Sequence, residues 1–456
     1  LAALLGRLPG FTDRATLDTK VDEALQQALA GFGLDYRRDL KPWLGDQLSL
    51  ASWPTAADGA SRELLVAAVK DRAAAEAALG RLGGEGSTSS THRGVTVVSA
   101  GRVSHAFVAE DLVVLAPTRS EVESAIDAFS GAESSLADAA AFRASRHELP
   151  ADYLAAAYVD LDALARSAGA QQEVSGVSTG TLALTATDAG LELNGQAPFD
   201  AQLASASNRA AVALGNEPPS LTDWMPQQTQ AEAVVFGLRR ILETAEQQLG
   251  VTSGAGDLSG TITQLRALVA FGLGLSIDDD LLPLLDRESA IAINASDGQP
   301  SGQLLLRPND AEAAAQALNR IRDALQQRGA RVTTAEAAGV TITSVSLADV
   351  GSAAYALSDG VVVIGLDVGA VRAALQAHAE RSTLAAGQRY TATFESLGAH
   401  GGIELYLDVP AMLSALGGGL DVSSQTRDML QHVDAVGVTI PTRDDHIEFH
   451  AIVTIR

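Results

Sequence analysis

The chain has 456 residues, 46% of them hydrophobic, with 56 Asp and Glu against 32 Lys and Arg, a net charge of −24 and no cysteine. That length leaves room for two or three domains with sizeable cores, and the apolar fraction is that of a globular chain. The carboxylate excess argues against nucleic acid or anionic lipid as a partner, and the missing cysteine excludes disulfides, thiolate nucleophiles and Cys-ligated zinc or iron–sulfur centres.

The chain opens LAALLGRLPG, without Met, and the expectation is that a segment upstream has been removed. No apolar run reaches the ~18–20 residues that a membrane span needs. The stretch 32–51, FGLDYRRDLKPWLGDQLSLA, leads from a helix into a strand. LLVAAVKDRAAAEAALGRL (64–82) reads as a strand, an N-cap at Asp71 and an Ala-rich helix. GVTVVS (94–99) is a further strand. SHAFVAEDLVVLAPTRSEVESAIDAF (104–129) reads as a hairpin turning at Glu110 and Asp111, with Leu112–Leu115 as its inner strand. A helix follows, with Val122, Ala125, Ile126 and Phe129 at helical spacing and Ser120 at the N-cap position. SLADAAAFRASRHELPADYLAAAYVDLDAL (135–164) adds helix, strand and helix, and TLALTATDAGLELNGQ (181–196) a closing hairpin.

The same order then recurs. Val361–Ile364 answers Leu112–Leu115, LLLRPNDAEAAAQALNRI (304–321) answers 64–82 with Asp310 as the cap, and GVTITS (339–344) answers 94–99. Residues 383–412 align on 135–164 without gaps, and 437–452 on 181–196. Each half reads helix, strand, strand, helix, three strands, helix, helix, strand, helix, hairpin. The expected class is α+β: a tandem duplication of a mostly antiparallel sheet covered by helices on one face. The repeats are placed at 1–205 and 206–456, parted in ASASNRAAVALGNEPPS where Asn, Ser and paired Pro break the pattern. The second repeat carries an additional strand, AEAVVFGL (231–238), that the first lacks.

Few residues suggest chemistry. Asp444, His446, Glu448 and His450 alternate in TRDDHIEFHAIV, so a strand sets all of them on one face. Two imidazoles and two carboxylates suit zinc or a similar metal. The plainer reading is a solvated strand face, with Ile447 and Phe449 turned to the core. GVSTG (176–180) matches the nucleophile-elbow pattern but runs into a strand instead of a helix. The glycine clusters at 83–84, 254–260 and 417–419 lack the flanking residues of a phosphate loop and read as loops. IDDD (277–280) lacks EF-hand spacing and reads as a solvated loop or helix start. Tyr158 and Asp160 recur as Tyr406 and Asp408, with the Asp placed to cap the next helix and the Tyr to pack. Trp43, Trp53 and Trp224 read as core or interface anchors.

LAALLGRLPGF, WLGDQLSLASWP, RELLVAAVKDRAAAEAAL, AEDLVVLAPTRSEVESAIDA and LPADYLAAAYVDLDAL together resemble the DUF3352 family of bacterial proteins of unknown function. The resemblance implies an N-terminal membrane anchor, then a strand, then the helix with which this chain opens. It implies a protein held on the outer face of the cytoplasmic membrane, touching that membrane only through an anchor absent from this chain, and it brings no catalytic residues. The expected function is therefore a non-enzymatic, extracytoplasmic module that binds a protein or envelope component, with no cofactor. The alternatives are a carrier of a lipid or other hydrophobic small molecule between sheet and helices and, more distantly, a metal-dependent hydrolase.

Overall fold

The computed structural model describes residues 4, 7, 14–28, 35–54, 61–83, 86–101, 103–147, 149–150, 152–167, 176–249, 276–296, 299–347, 351–398, 400–416 and 424–456. The glycine runs at 254–260 and 417–419 lie outside them. By compactness the chain divides into one unit of Gly10–Glu148 with Tyr158–Glu173, and another of Leu1–Pro9, Leu149–Ala157 and Val174–Arg456.

The smaller unit holds α1 (Arg14–Ala28), β1 (Leu44–Pro54), β2 (Ser61–Val69), α2 (Arg72–Gly83), β3 (Thr88–His92), β4 (Val95–Ala100), β5 (Val103–Ala109), β6 (Leu112–Ala116), α3 (Arg119–Phe129) and α4 (Ala140–His147). Its strands form one antiparallel sheet in the order β1-β2-β6-β5-β4-β3. Successive residues of β6 feed opposite cores. Val113 and Leu115 pack with Leu65 and Ala67 against Ala75, Ala78 and Leu79 of α2. Val114 and Ala116 pack with Val97 and Ala106 against Val122 and Ile126 of α3. Helices thus cover both faces of the sheet, not one. The unbroken apolar run of β6 is the reason, because a strand buried on both sides carries no polar alternation.

Two local expectations are also corrected. Each half has four consecutive strands here, not three. The additional one is polar β3, TSSTH, at the sheet edge, where low hydrophobicity hid it. The cap of α3 is Thr118, not Ser120: Glu121 reaches back to the Thr118 N–H at 2.9 Å and accepts its hydroxyl at 2.8 Å. Asp71 does cap α2, accepting the Ala74 N–H at 3.0 Å. Asp22 on α1 binds Lys41 (2.6 Å) and Arg37 (3.0 Å), and the Lys41 hydrogen bond holds its carboxyl below the usual range. Asp39, buried in the π-turn Tyr36–Leu40, accepts the Asp35 N–H at 3.0 Å.

β7 (Ala155–Asp160) is divided between the two units, and α5 (Leu161–Ser167) belongs to the smaller one. The larger unit adds β8 (Thr179–Ala186), β9 (Gly190–Pro198), α6 (Ala206–Leu214), β10 (Ala231–Phe236), α7 (Leu238–Leu249), β11 (Glu288–Ser296), β12 (Gln299–Arg307), α8 (Ala311–Gln327), β13 (Arg331–Ala337), β14 (Val340–Leu347), β15 (Gly351–Ser358), β16 (Val361–Gly365), α9 (Val368–Glu380), α10 (Gln388–Leu397), β17 (Ile403–Asp408), α11 (Val409–Leu416), α12 (Ser424–Leu430), β18 (Val433–Ile440) and β19 (His446–Ile455). Thirteen strands form one sheet, ordered β13-β14-β15-β16-β12-β11-β10-β17-β18-β19-β9-β8-β7. Val361 and Val363 pack under α9, and Val362 under α8, so the double covering recurs.

The run β11-β12-β16-β15-β14-β13 has the order of β1-β2-β6-β5-β4-β3. Its register matches as well. Leu50–Leu65–Leu115–His105–Val98–Ser89 face one another across one sheet, and Ile291–Leu304–Ile364–Tyr355–Thr343–Thr334 across the other. IDDD forms a π-turn like that at Tyr36–Leu40. Its Asp280 is buried, not solvated, accepting the Ser276 N–H (2.8 Å) and Arg320 Nε (2.7 Å).

Candidate functional site

The alternation on β19 holds, and both of its faces are half-buried. His446, Glu448 and His450 share their face with Ile452, which is fully buried in the main core, while Ile447, on the other face, packs against Phe199, Ala204 and Val212. Polar side chains can occupy a half-buried face because they satisfy one another. Asp445 Oδ1 meets His446 Nδ1 at 2.6 Å, and His446 Nε2 meets Glu448 Oε1 at 3.0 Å. Glu448 Oε2 meets His450 Nε2 at 3.2 Å, and His450 Nδ1 meets Asn194 Oδ1 at 2.8 Å. The Glu448 carboxyl titrates below its usual range: burial opposes this, but the two histidines and Arg443 outweigh it. Asp444 is exposed at the turn. Among the described residues no three His, Cys, Asp or Glu side chains are grouped to hold a metal ion.

The recurring Tyr and Asp pairs have matching surroundings. Asp160 accepts the Ala163 N–H at 2.8 Å and Asp408 the Ala411 N–H at 2.9 Å, each capping the helix after its strand. Tyr158 meets Phe142 of α4 edge-on at 5.1 Å, and Tyr406 meets Tyr390 of α10 at 5.3 Å. Asp408 also binds Arg389, which reaches Asp434 at 3.2 Å. GVSTG enters β8, with no helix after its serine.

Sequence reading missed three neighbouring carboxylates on the core face of β11, β10 and β17. Glu288 accepts the N–H groups of Ser220 (2.7 Å) and Leu221 (2.8 Å), fixing the 3-10 turn Leu221–Trp224. Glu404 accepts the Tyr390 hydroxyl and faces His400 Nδ1 at 3.3 Å. Glu232 is 4% exposed, and neither carboxylate oxygen has a hydrogen-bond partner. Burial, with Glu404 and Glu288 adding to it, pushes its carboxyl well above the usual range. Glu232 is the one polar residue of its strand, AEAVVF, the signal that could have marked it.

A cleft of about 670 Å³ opens among the 3-10 turn, two hairpin ends and the C-terminus of α9. His378 stacks on the buried Trp224 ring at 3.8 Å and donates from Nδ1 to the Asp223 carbonyl at 2.9 Å. Its Nε2 lies 4.0 Å from Asp359, and Arg381 and Thr383 complete a mixed polar and apolar lining. The residue of the first half that aligns with His378 is Phe129, so the recurring pattern gave no hint of it.

Among the described residues, one sheet face carries two apolar rows. Opposite the core, Ile291–Ala233–Leu405–Val438–Ala451–Leu193–Leu184 run edge to edge from β11 to β8. A second row runs Ile293–Ala231–Leu407–Val436–Val453–Leu191–Ala186. None of these side chains is buried, and Ile291 is 53% and Leu405 41% exposed. On the core side, their strand neighbours Ala292, Glu232, Tyr406 and Ile452 are all buried. Contiguous exposed apolar surface is a general characteristic of interaction sites. The signal lay in strands apolar at odd and even positions alike.

A family model described as "Protein of unknown function (DUF3352)" matches residues 3–454. No curated protein and no solved structure matches. Among the described residues no helix is long and apolar enough to cross a membrane.

Proposed function

The chain belongs to the DUF3352 family, and from that premise we propose that it is a non-catalytic, duplicated extracytoplasmic module that docks a protein partner on its open sheet face. The observation that carries this reading is the pair of apolar rows, with Ile291, Ile293 and Leu405 exposed beside a core that buries Glu232 and Glu404. Duplication is supported by the shared strand order, the matched registers and the paired π-turns. The resemblance supports a location outside the cytoplasm, behind an N-terminal anchor.

The occupant is an amphipathic helix of the partner with basic flanks. Its shape follows from α8, which lays Ala314, Ala317 and Leu318 on Leu306 and Leu304 along the continuation of the same face. Its charge follows from the −24 of this chain, which attracts a basic segment and opposes a second copy of itself. Docking is favoured over hydrophobic carriage because the exposed rows are apolar, whereas the cleft beside His378 is open and partly polar.

A photo-crosslinking residue placed at Leu405 or Ile291, in the native host, tests this. The expected product joins that position to a basic amphipathic segment of one protein, is absent from a control at exposed Glu336, and is lost when Ile293→Arg is added. Cross-links to lipid, to a second copy or equally from Glu336 would overturn the reading.

A further inference from the structure

Two orphaned polar groups lie side by side in the core. Glu232 on β10 faces Ala292 on β11, which puts Asn294, two residues further along the same face, on the diagonal and within reach of a long side chain. Asn294 gives its amide N–H to Gln303 Oε1 of β12 at 2.7 Å, and Gln303 is held in turn by the Ala370 carbonyl at 3.0 Å. Asn294 Oδ1 is buried and has no partner, like both oxygens of Glu232. An ionised Glu232 would add an acceptor to an acceptor; a neutral carboxylic acid has the one donor that Asn294 Oδ1 lacks.

We propose that Glu232 is a buried proton site: its carboxyl stays neutral at neutral pH, gives its proton to Asn294 Oδ1, and on ionising in alkali loosens the layer over the sheet. The groups around it leave no other way to neutralise a charge. Glu404 and Tyr406 approach from β17, Glu288 from β11 and Tyr390 from α10. No cation is among the charges that act on Glu232: His400 pairs with Glu404, and Arg307 Nε stands 3.7 Å from Glu288. Ionised Glu232 would repel Glu404, whose partner Tyr390 ties α10 to the sheet. Tyr390 is 5% exposed and packs on Phe394 and Tyr406, so a strained Glu404 is felt directly in the helix layer.

The sign follows from linkage. A carboxyl raised by folding costs nothing below the ordinary glutamate value of about 4.3, and the cost grows as pH rises until the folded group ionises. Thermal midpoints of the whole chain and of Glu232→Gln, whose amide keeps a donor for Asn294, are compared across that range. The expected difference is near zero at the acid end and grows in favour of Glu232→Gln as pH rises. Infrared spectra at neutral pH should show a protonated-carboxyl C=O band that Glu232→Gln removes. A pH-independent difference, or no such band lost, overturns the proposal. Should Glu232→Gln fail to fold, the unaltered chain decides: the band must be present at neutral pH and vanish in alkali before the helix layer melts.

Discussion

His450 on β19 and Asn194 on β9 face each other directly, Nδ1 to Oδ1 2.8 Å, and lie 256 positions apart. The same spacing carries the pair Thr181–Gln196 onto Gly437–Ile452. Glu448 faces Gln196 and Ile452 faces Glu192, so equivalent positions exchange places about the Asn194–His450 contact. The contact lies on a local twofold axis of the sheet. Asn194→Ala should leave His450 Nδ1 unpaired on a half-buried face and cost about 1–3 kcal/mol in denaturant unfolding. His450→Asn, which sets amide against amide, should cost less.

The His446–Glu448–His450 chain should not be a metal centre. Both oxygens of Glu448 already face imidazole nitrogens, at 3.0 and 3.2 Å, and the three side chains stand in line along one strand. Thermal midpoints with zinc and with a chelator should coincide. A zinc-induced rise that His446→Ala removes would show the opposite.

His400 titrates above the ordinary histidine range, because its hydrogen bond to Glu404 outweighs desolvation. A raised histidine contributes stability in full below its unfolded value of about 6.5, and that contribution is lost as pH rises through the folded value. The ring signals of His400 should therefore titrate at higher pH than those of a free histidine. His400→Gln should remove the stability change in that window, to be read from midpoints on either side of neutrality.

Neighbours on β17 should respond oppositely to truncation. Tyr406 is 4% exposed among Tyr390, Phe394 and Ala435, and Tyr406→Ala should cost about 3–5 kcal/mol. Leu405 points to the open face, and Leu405→Thr should stay within about 0.5 kcal/mol. Chemical denaturation of both variants checks the pair. Equal losses would mean that the apolar rows are covered.

Much of this was legible from residues. Asp71, Asp310, Asp160 and Asp408 cap helices because a short carboxylate before a helical stretch can reach the free N–H groups that follow. Leu112–Leu115 and Val361–Ile364 are strands in matching places because β-branched apolar runs bury on both sides. The polar edge strand β3 stayed hidden, since hydrogen bonding to β4 and not burial defines it. The half-buried setting of the polar face of β19 stayed hidden for a related reason. Period two says that His446 and His450 share a side, but not which side, and only neighbouring strands decide that.

The sequence alone determined local conformation, caps and the recurring order of elements, because these depend on residues within a few positions of each other. Tertiary structure alone decided that β9 pairs with β19, that Glu232 lies buried beside Glu404, and that Leu405 and Ile291 stand open on one face. Each is a relation between residues far apart in the chain. An alternating strand fixes what shares a side, and only packing against distant strands and helices selects which side meets water.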